Sequence, residues 1–359
     1  MHDKYTTAKG PWVGKTILDV MSTLFIGRNI QYYKDLINSG GLTVTRSIYT
    51  HDSETSRKKK VKKVISGPAL FEEVLQPRDL VHNQVHRHEV PVADSPIRVI
   101  EETSDYLVID KPAGIPVHPT QGHHYNTILE ILKHENTRLS DHECELQVCH
   151  RLDKLTSGVM ILAKNKQTHR AFYDKISDKS AVFKEYVAKV HGLFPKTLTR
   201  KERIVLIDPF KIYRRGGVQN PTPAKTEFEL MSYNTELDQS VIKCKPYTGR
   251  KHQIRIHLRN AGFPIVNDSL YGVSGLLGPD KLDLLKVPNK QKFQELRDLA
   301  QVKIKEKTKE GEFCNVCHSN LYQDPKIEEL KGMCLHALVY GAKDGSWRFE
   351  TGLPRWASV

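Results

Sequence analysis

From Ile97 onward the chain is written in short apolar runs: RVIEE, YLVID, LQVCH, VMILAKN, EYVAKVHG, RIVLI and SVIKCKPY. Gly, Pro and Asp break them at fairly regular intervals. Runs of this length between turn residues predict an antiparallel, strand-rich domain with a few inserted helices, not alternating parallel units. The first stretch reads differently. Thr16 with Asp19 three residues later is a capping pair, and Ile17, Val20, Met21, Leu24 and Phe25 follow on one helical face. A second helix carries Ile30, Tyr33 and Ile37 and stops at Gly40-Gly41, after which LTVT reads as a strand. The fold class expected is α+β: a mixed, mainly antiparallel sheet with flanking helices, behind a small N-terminal module. The module is placed at 1–95 and the main domain at 96–359.

Within the main domain, 273–333 reads as an insertion. Phe293, Leu296, Ala300 and Ile304 would stripe one helix, and KIKEKTKEGE after it reads as charged and mobile. LHALVYG and WRFETGLPRW close the chain as strand text. The run RKKKVKK, within 51–66, is expected to be a solvated, mobile loop. Lys58, Lys59 and Lys60 in it are candidates for phosphate contact, a nuclear-import signal being the other use.

Charge sharpens the picture. The 359 residues carry 55 Lys and Arg against 42 Asp and Glu, a formal net charge of +13. That surplus favours a polyanionic partner, because each neutralised phosphate releases condensed counterions. There is no run of about 18 apolar residues for a membrane-spanning helix. MHDKYTTAKGPW has neither the apolar core of a signal peptide nor the repeated Arg of a transit peptide. The compartment expected is the cytoplasm, with nucleus and mitochondrion as alternatives. Six Cys in so long a chain do not make a disulfide framework, so reduced thiols are expected.

The chemistry concentrates in His150-Arg151-Leu152-Asp153-Lys154-Leu155-Thr156-Ser157-Gly158, a polar stretch between the strand-like LQVC and VMILAKN. A loop held between strands can present the Asp153 carboxylate to a ligand. It can equally bond nearby amides or cap the turn with Thr156 and Ser157. This nonapeptide resembles the HRLDxxTSG signature of RluA-type pseudouridine synthases. YLVIDKPAGIPVHP (106–119), KEYVAKVHG (184–192) and TGRKHQIRIHLRNAGFPIVNDSLYG (248–272) resemble that family's further motifs in order, as do LHALVY and LPRW. The resemblance covers roughly 97–272 and 334–356. Helix, helix, strand at the N-terminus is the order of the alpha-L RNA-binding fold, without the glycine-centred signature common in bacterial relatives.

The resemblance implies an isomerase that needs no cofactor and no catalytic metal, and that turns a uridine into pseudouridine after flipping it from its stack. Asp153 would be the catalytic carboxylate, attacking the sugar or the base, or holding the intermediate. Arg255 would pair with it and keep it ionised. Tyr186 would stack on the uracil, with assistance to proton removal at C5 as a further role. Arg151 would help displace the nucleotide, or contact a phosphate. The segment around Arg255 alternates as Ile254, Ile256 and Leu258, as in a strand. It also fits a helix stopped by Gly262, and the resemblance favours the helix. Lys111-Pro112 is expected to be structural, the lysine reaching backbone carbonyls. Cys314-x-x-Cys317 with His318, Cys334 and His336 is an incomplete zinc pattern; the reading prefers no metal, with a structural zinc as the alternative because similar Cys-containing insertions mark the eukaryotic branch that the chain resembles.

QVHRHEVPV (84–92) and the CNVC insertion resemble the fungal tRNA-acting branch, which implies tRNA, and within it the anticodon stem-loop, as substrate. No HxE…PCxxC deaminase motif follows. A monomer with no obligatory protein partner is expected. The alternatives are action on rRNA or another RNA, and an inactive RNA-binding protein of the same fold. Retention of Asp153, Tyr186 and Arg255 together argues against decay. A nucleoside hydrolase would gather several acids around a sugar, and this motif has one.

Overall fold

The computed structural model describes residues 2–24, 30–51, 58–86, 88–120, 122–135, 146–206, 221–281, 294–296, 298–299, 302, 306, 308–317, 319–323 and 332–358. The chain divides into two compact units, one of Met1–His88 with Thr308–Gln323 and one of Glu89–Lys307 with Asp324–Val359. The boundary therefore falls at 88/89 where 95/96 was expected, and part of the 273–333 insertion belongs to the N-terminal unit.

The N-terminal unit holds β1 (His2–Thr7), α1 (Ile17–Leu24), α2 (Ile30–Asn38), β2 (Leu42–His51), β3 (Lys58–Ser66) and β4 (Leu80–Val85). Its sheet runs β1-β4-β2-β3, every pairing antiparallel. The capping pair forms: Thr16 Oγ1 donates to Asp19 Oδ2 at 2.8 Å and accepts from the Asp19 amide at 3.1 Å. Ile17, Val20 and Met21 are buried against Tyr33 and Ile37 of α2, whereas Ile30 is exposed. The side chains of Leu24 and Phe25 lie outside the described residues. Helix, helix, strand is thus observed as expected.

The basic run departs from expectation. From Lys58 on it is strand β3, paired with β2 from Thr43–Ser66 to His51–Lys58. β3 lies at the sheet's edge. Lysines on an edge strand are a usual guard against pairing with another chain, so a charge run is compatible with strand there. Lys60 is exposed, while the side chains of Lys58 and Lys59 lie outside the described residues.

The second unit contains β5 (Arg98–Glu102), β6 (Tyr106–Lys111), α3 (Ile128–Glu135), β7 (Gln147–Val148), β8 (Ser157–Ala163), α4 (Lys166–Ser177) and β9 (Val182–His191). It continues through β10 (Thr197–Arg200), β11 (Arg203–Ile204), β12 (Thr222–Pro223), β13 (Thr226–Asn234), β14 (Gln239–Pro246) and α5 (Gln253–Asn260). The chain then returns to the first unit as hairpin β15 (Thr308–Phe313) and β16 (Asn320–Tyr322). It closes in the second unit with β17 (Leu335–Ala342) and β18 (Arg348–Glu350). KIKEKTKEGE, expected to be mobile, is strand from Thr308 on; 303–305 and 307 lie outside the described residues. Of the helix expected across 293–304, Leu296 is described and fully buried with Ile256 and Leu277, while Phe293, Ala300 and Ile304 are outside the description.

The large sheet runs β10-β13-β14-β9-β17-β8-β6-β5, with β18 on β17 and β7 on β8. Its pairings are antiparallel except β17 with β8. The expected α+β, mainly antiparallel class is therefore correct. At the parallel seam Ser157 and Gly158 lie beside His336 and Ala337. Gly158 has φ +113°, and a Cβ there would collide with the Ala337 backbone. Only glycine lets the chain leave the Asp153 loop and enter β8 at this spacing. Ser157 Oγ and His336 Nδ1, 2.8 Å apart, tie the same seam by side chain.

Candidate active site

The loop that carries Asp153 is fixed from beneath by a lysine. Lys111, the last residue of β6, is fully buried, and its Nζ donates to the carbonyls of Pro112 at 2.7 Å, Thr156 at 2.9 Å and Lys154 at 3.2 Å. Burial pushes its amine down to about 7, with Asp153 pulling the other way. The structural reading of Lys111 is what the geometry shows. The Thr156 amide closes a turn onto the Asp153 carbonyl at 3.1 Å, and the Gly114 amide binds the Lys154 carbonyl at 2.8 Å.

Asp153 faces α5, and the ambiguous segment around Arg255 is indeed helical. Every residue from Gln253 to Arg259 is buried, which explains why no apolar stripe announced the helix. Arg255 Nη1 donates to Asp153 Oδ2 at 3.1 Å. Its Nε and Nη2 grip the two oxygens of Asp268, each at 2.8 Å. Burial alone would raise the Asp268 carboxyl; Arg255 and the amides of Tyr271 and Leu270 outweigh it and hold the acid below its usual range. The Arg255 guanidinium lies 5.0 Å from the centre of the Tyr271 ring, over its face.

His252 precedes the helix with φ +58°, a left-handed conformation uncommon outside glycine. Its Nδ1 is 3.0 Å from the Tyr271 hydroxyl and its Nε2 is 3.5 Å from Asp153 Oδ2. Burial lowers this imidazole to about 4 although Asp153 pulls it upward, so it is neutral near pH 7. A Tyr271 hydroxyl donating to Nδ1 leaves Nε2–H to face the carboxylate.

Tyr186 lies on β9, paired with Cys244 of β14 on one side and Ala337 of β17 on the other. Burial first, then the charge of Asp153, raises its phenol well above the ordinary value. Together these groups line a cleft of about 270 Å³ whose wall includes Arg151, Asp153, Lys184, Tyr186, Arg250 and Arg255. Arg151 is exposed at its rim. Lys184 is pushed down to about 8 by burial, with the charge of Lys179 adding, and its Nζ lies 4.4 Å above the Tyr340 ring.

The structure thus brings Asp153, Tyr186, Arg255 and Arg151 to one cleft. Lys58, Lys59 and Lys60 belong to the other unit. Sequence reasoning passed over Asp268, Tyr271, His252 and Lys184, although all but Lys184 stand in the TGRKHQ…NDSLYG segment and Lys184 begins KEYVAKV. An arginine that must hold an ionised acid in a dry helix calls for a second acid, and Asp268 lies thirteen residues on. Cys334 and His336 do not join the CxxC. Cys334 packs in the core of the second unit, and His336 is 2.5 Å from Thr351 Oγ1.

Asp153, braced by Arg255 and close to the buried Tyr186 ring, thus stands in a cleft whose wall also carries the cations Arg151, Lys184 and Arg250. The pattern of the RNA pseudouridylate synthase family matches residues 105–260. The chain is 35% identical over 384 residues to the mitochondrial tRNA pseudouridine(32) synthase of Saccharomyces cerevisiae, covering 99% of this chain and 75% of that protein. It is 32% identical over 397 residues to the yeast tRNA pseudouridine(31) synthase, covering 98% and 92%. The solved structure of Human RNA Pseudouridylate Synthase Domain Containing 1 aligns with a TM-score of 0.47 at 20% identity, over 74% of this chain and 85% of that one. The chain belongs to the RNA pseudouridylate synthase family. It is an isomerase of uridine in RNA, and no helix among its described residues is long and apolar enough to cross a membrane.

Proposed function

We propose that this chain converts a uridine of the tRNA anticodon stem-loop to pseudouridine, with Asp153 as the catalytic carboxylate. The isomerisation breaks the N1–C1′ bond, rotates the base, forms C5–C1′, removes a proton from C5 and returns one to N1. The observation that carries the assignment is the 3.1 Å contact between Arg255 and Asp153 in the wall of the cleft. That contact engages Oδ2 and leaves Oδ1 without a hydrogen bond among the described residues. One oxygen stays available to the sugar or the base.

The other residues take supporting roles. Arg255 acts through Asp153 as a positioning residue. Tyr186 offers a ring for the uracil to stack on, and a phenol kept protonated by burial suits a platform better than a base. Arg151 at the rim helps displace the nucleotide and then fills its place among the stacked bases. Lys58, Lys59 and Lys60 on the edge strand contact phosphates further along the RNA. The names of the two yeast relatives carry tRNA and positions 32 and 31, which supports tRNA over rRNA.

RNA is the one obligatory partner in this reading, the chain acts as a monomer, and the cytoplasm is its compartment. One yeast relative is named mitochondrial, so fractionation with a tagged full chain decides the last point. The test of activity is tritium release from tRNA labelled at uridine C5, wild type against Asp153→Ala. Release by the wild type and none by the variant is expected. Tight tRNA binding with no release by either protein would establish an RNA-binding protein that has lost its chemistry.

A further inference from the structure

In the N-terminal unit, His86, His88, Cys314 and Cys317 bring four ligand atoms to within 4.8 Å of one another. The histidines follow β4, and the cysteines occupy the turn between β15 and β16. His86 and Cys314 are 228 residues apart in the chain. The geometry points to a structural zinc site: one ion bound by His86, His88, Cys314 and Cys317, fastening the β15–β16 hairpin to the end of β4.

The distances suit a single tetrahedral ion. Zinc–sulfur bonds of about 2.3 Å and zinc–nitrogen bonds of about 2.0–2.1 Å place neighbouring ligand atoms roughly 3.3–3.8 Å apart. His86 Nε2 is 3.1 Å from His88 Nε2 and 3.4 Å from Cys314 Sγ. A two-iron cluster with the same ligand types is a poor fit, because it holds its imidazoles and its thiolates on different irons. Two nitrogens and two sulfurs with no carboxylate also argue against magnesium or calcium.

The turn is shaped for the task. The Cys314 amide binds the Ser319 carbonyl at 3.0 Å, which closes the turn, and the Val316 amide points at Cys314 Sγ at 3.3 Å. An N–H aimed at sulfur stabilises the thiolate that a metal requires. Cys317 is 1% exposed, and both cysteines pack in the same apolar cluster as Trp12, Tyr32 and Leu36. Two thiolates and two neutral imidazoles around a divalent ion sum to zero charge, which an apolar surround tolerates far better than a bare cation. All four positions are taken by protein atoms, so the ion has no open site for substrate and is structural.

The hairpin shows why such a staple is useful. Its described register joins Thr308 with Tyr322 and Phe313 with Asn320, and β16 has three residues. A two-stranded hairpin of that size is marginal by itself. Attaching it to a residue 228 positions away closes a very long loop, and a metal that binds the folded state supplies the free energy for it.

The test measures metal directly on the purified full-length chain by plasma mass spectrometry, as isolated and after incubation with zinc and desalting. About one zinc atom per chain is expected. Cys314→Ser/Cys317→Ser and His86→Ala/His88→Ala should each fall below about a tenth of that value, and Cys334→Ala should keep the full atom. Because the double variants can fail through unfolding, the wild type is also loaded with cobalt(II). The strong visible bands of tetrahedral cobalt, with sulfur-to-metal charge transfer in the near ultraviolet, are the expected spectrum. A wild type that takes up no zinc, a double variant that folds and retains it, loss of zinc in Cys334→Ala, or the weak bands of six-coordinate cobalt would each overturn the site.

Discussion

Arg255 and Asp268 form a two-point ion pair inside the catalytic unit, Nε and Nη2 each 2.8 Å from a different carboxylate oxygen. The side chains are 6% and 0% exposed. Asp153 accepts from the third corner of the same guanidinium. One arginine thus serves a fully enclosed acid and a reachable one. Arg255→Leu leaves Asp268 with the Leu270 and Tyr271 amides but no counter-charge, and breaking such a pair costs about 3–5 kcal/mol. Denaturant unfolding should show a loss of that order, together with a fall in tritium release. Adding Asp268→Asn should restore most of the stability and none of the turnover. If the double variant recovers turnover as well, Arg255 does not act through Asp153.

Lys184 ties the cleft to pH. Its amine is pushed down to about 8 by burial and by Lys179, from an ordinary value of 10.5. Between those values the unfolded chain holds a proton that the folded chain has lost, so this group's contribution to stability increases with pH. It is complete above the unfolded value and is lost as pH falls through about 8. Affinity for RNA runs the other way, because the cleft loses a cation as pH rises past about 8. Between pH 7 and 9, tRNA binding by the wild type should weaken, and Lys184→Gln should flatten that slope. An unchanged slope in the variant would remove Lys184 from the RNA-facing surface.

Lys111→Met tests the floor of the loop. The substitution keeps the aliphatic stem and removes the ammonium donor from three carbonyls, of which that of Lys154 keeps the Gly114 amide. A buried polar group left without a partner costs about 1–3 kcal/mol. Stability should therefore drop by at least about 2 kcal/mol, and tritium release should fall as Asp153 loses its setting. Unaltered stability would mean that water replaces the ammonium without cost.

How much of this was legible depended on how local the physics is. The Thr16–Asp19 capping pair, the Asp153 loop and the antiparallel character of the large sheet are written in neighbouring residues or short periods, and they could be read. The helix of Arg255 could not be read from periodicity, because Gln253 to Arg259 are all buried and leave no polar face to set the phase. The lysines of β3 looked like loop because a charge run carries no mark of the edge it guards. The four ligand atoms of the N-terminal unit were invisible for a different reason. CxxC is conspicuous, but its partners follow β4, and nearness across 228 residues is a product of the fold. The candidate partners nearest to CxxC in sequence are His318, which lies outside the described residues, and Cys334 and His336.

Asp153→Asn is the substitution that separates chemistry from binding most cleanly. It keeps the shape of the side chain and removes the charge. Arg255 retains its two-point hold on Asp268, so the interior does not acquire an unpaired arginine. The stability change should be small, about 1 kcal/mol, the scale of one hydrogen bond altered in a partly exposed place. Binding to tRNA rests on phosphate contacts and should stay within about tenfold of the wild type, because removing an anion from a basic cleft does not oppose a polyanion. Turnover should fall by about 10²–10⁴-fold or more, the scale of losing a group that takes part in the reaction itself. Three measurements on one variant therefore suffice: unfolding, tRNA affinity and tritium release. Release that persists near the wild-type rate would make Asp153 a bystander and move the chemistry to another group in the cleft. Collapse of the fold would instead make its carboxylate a structural partner of Arg255.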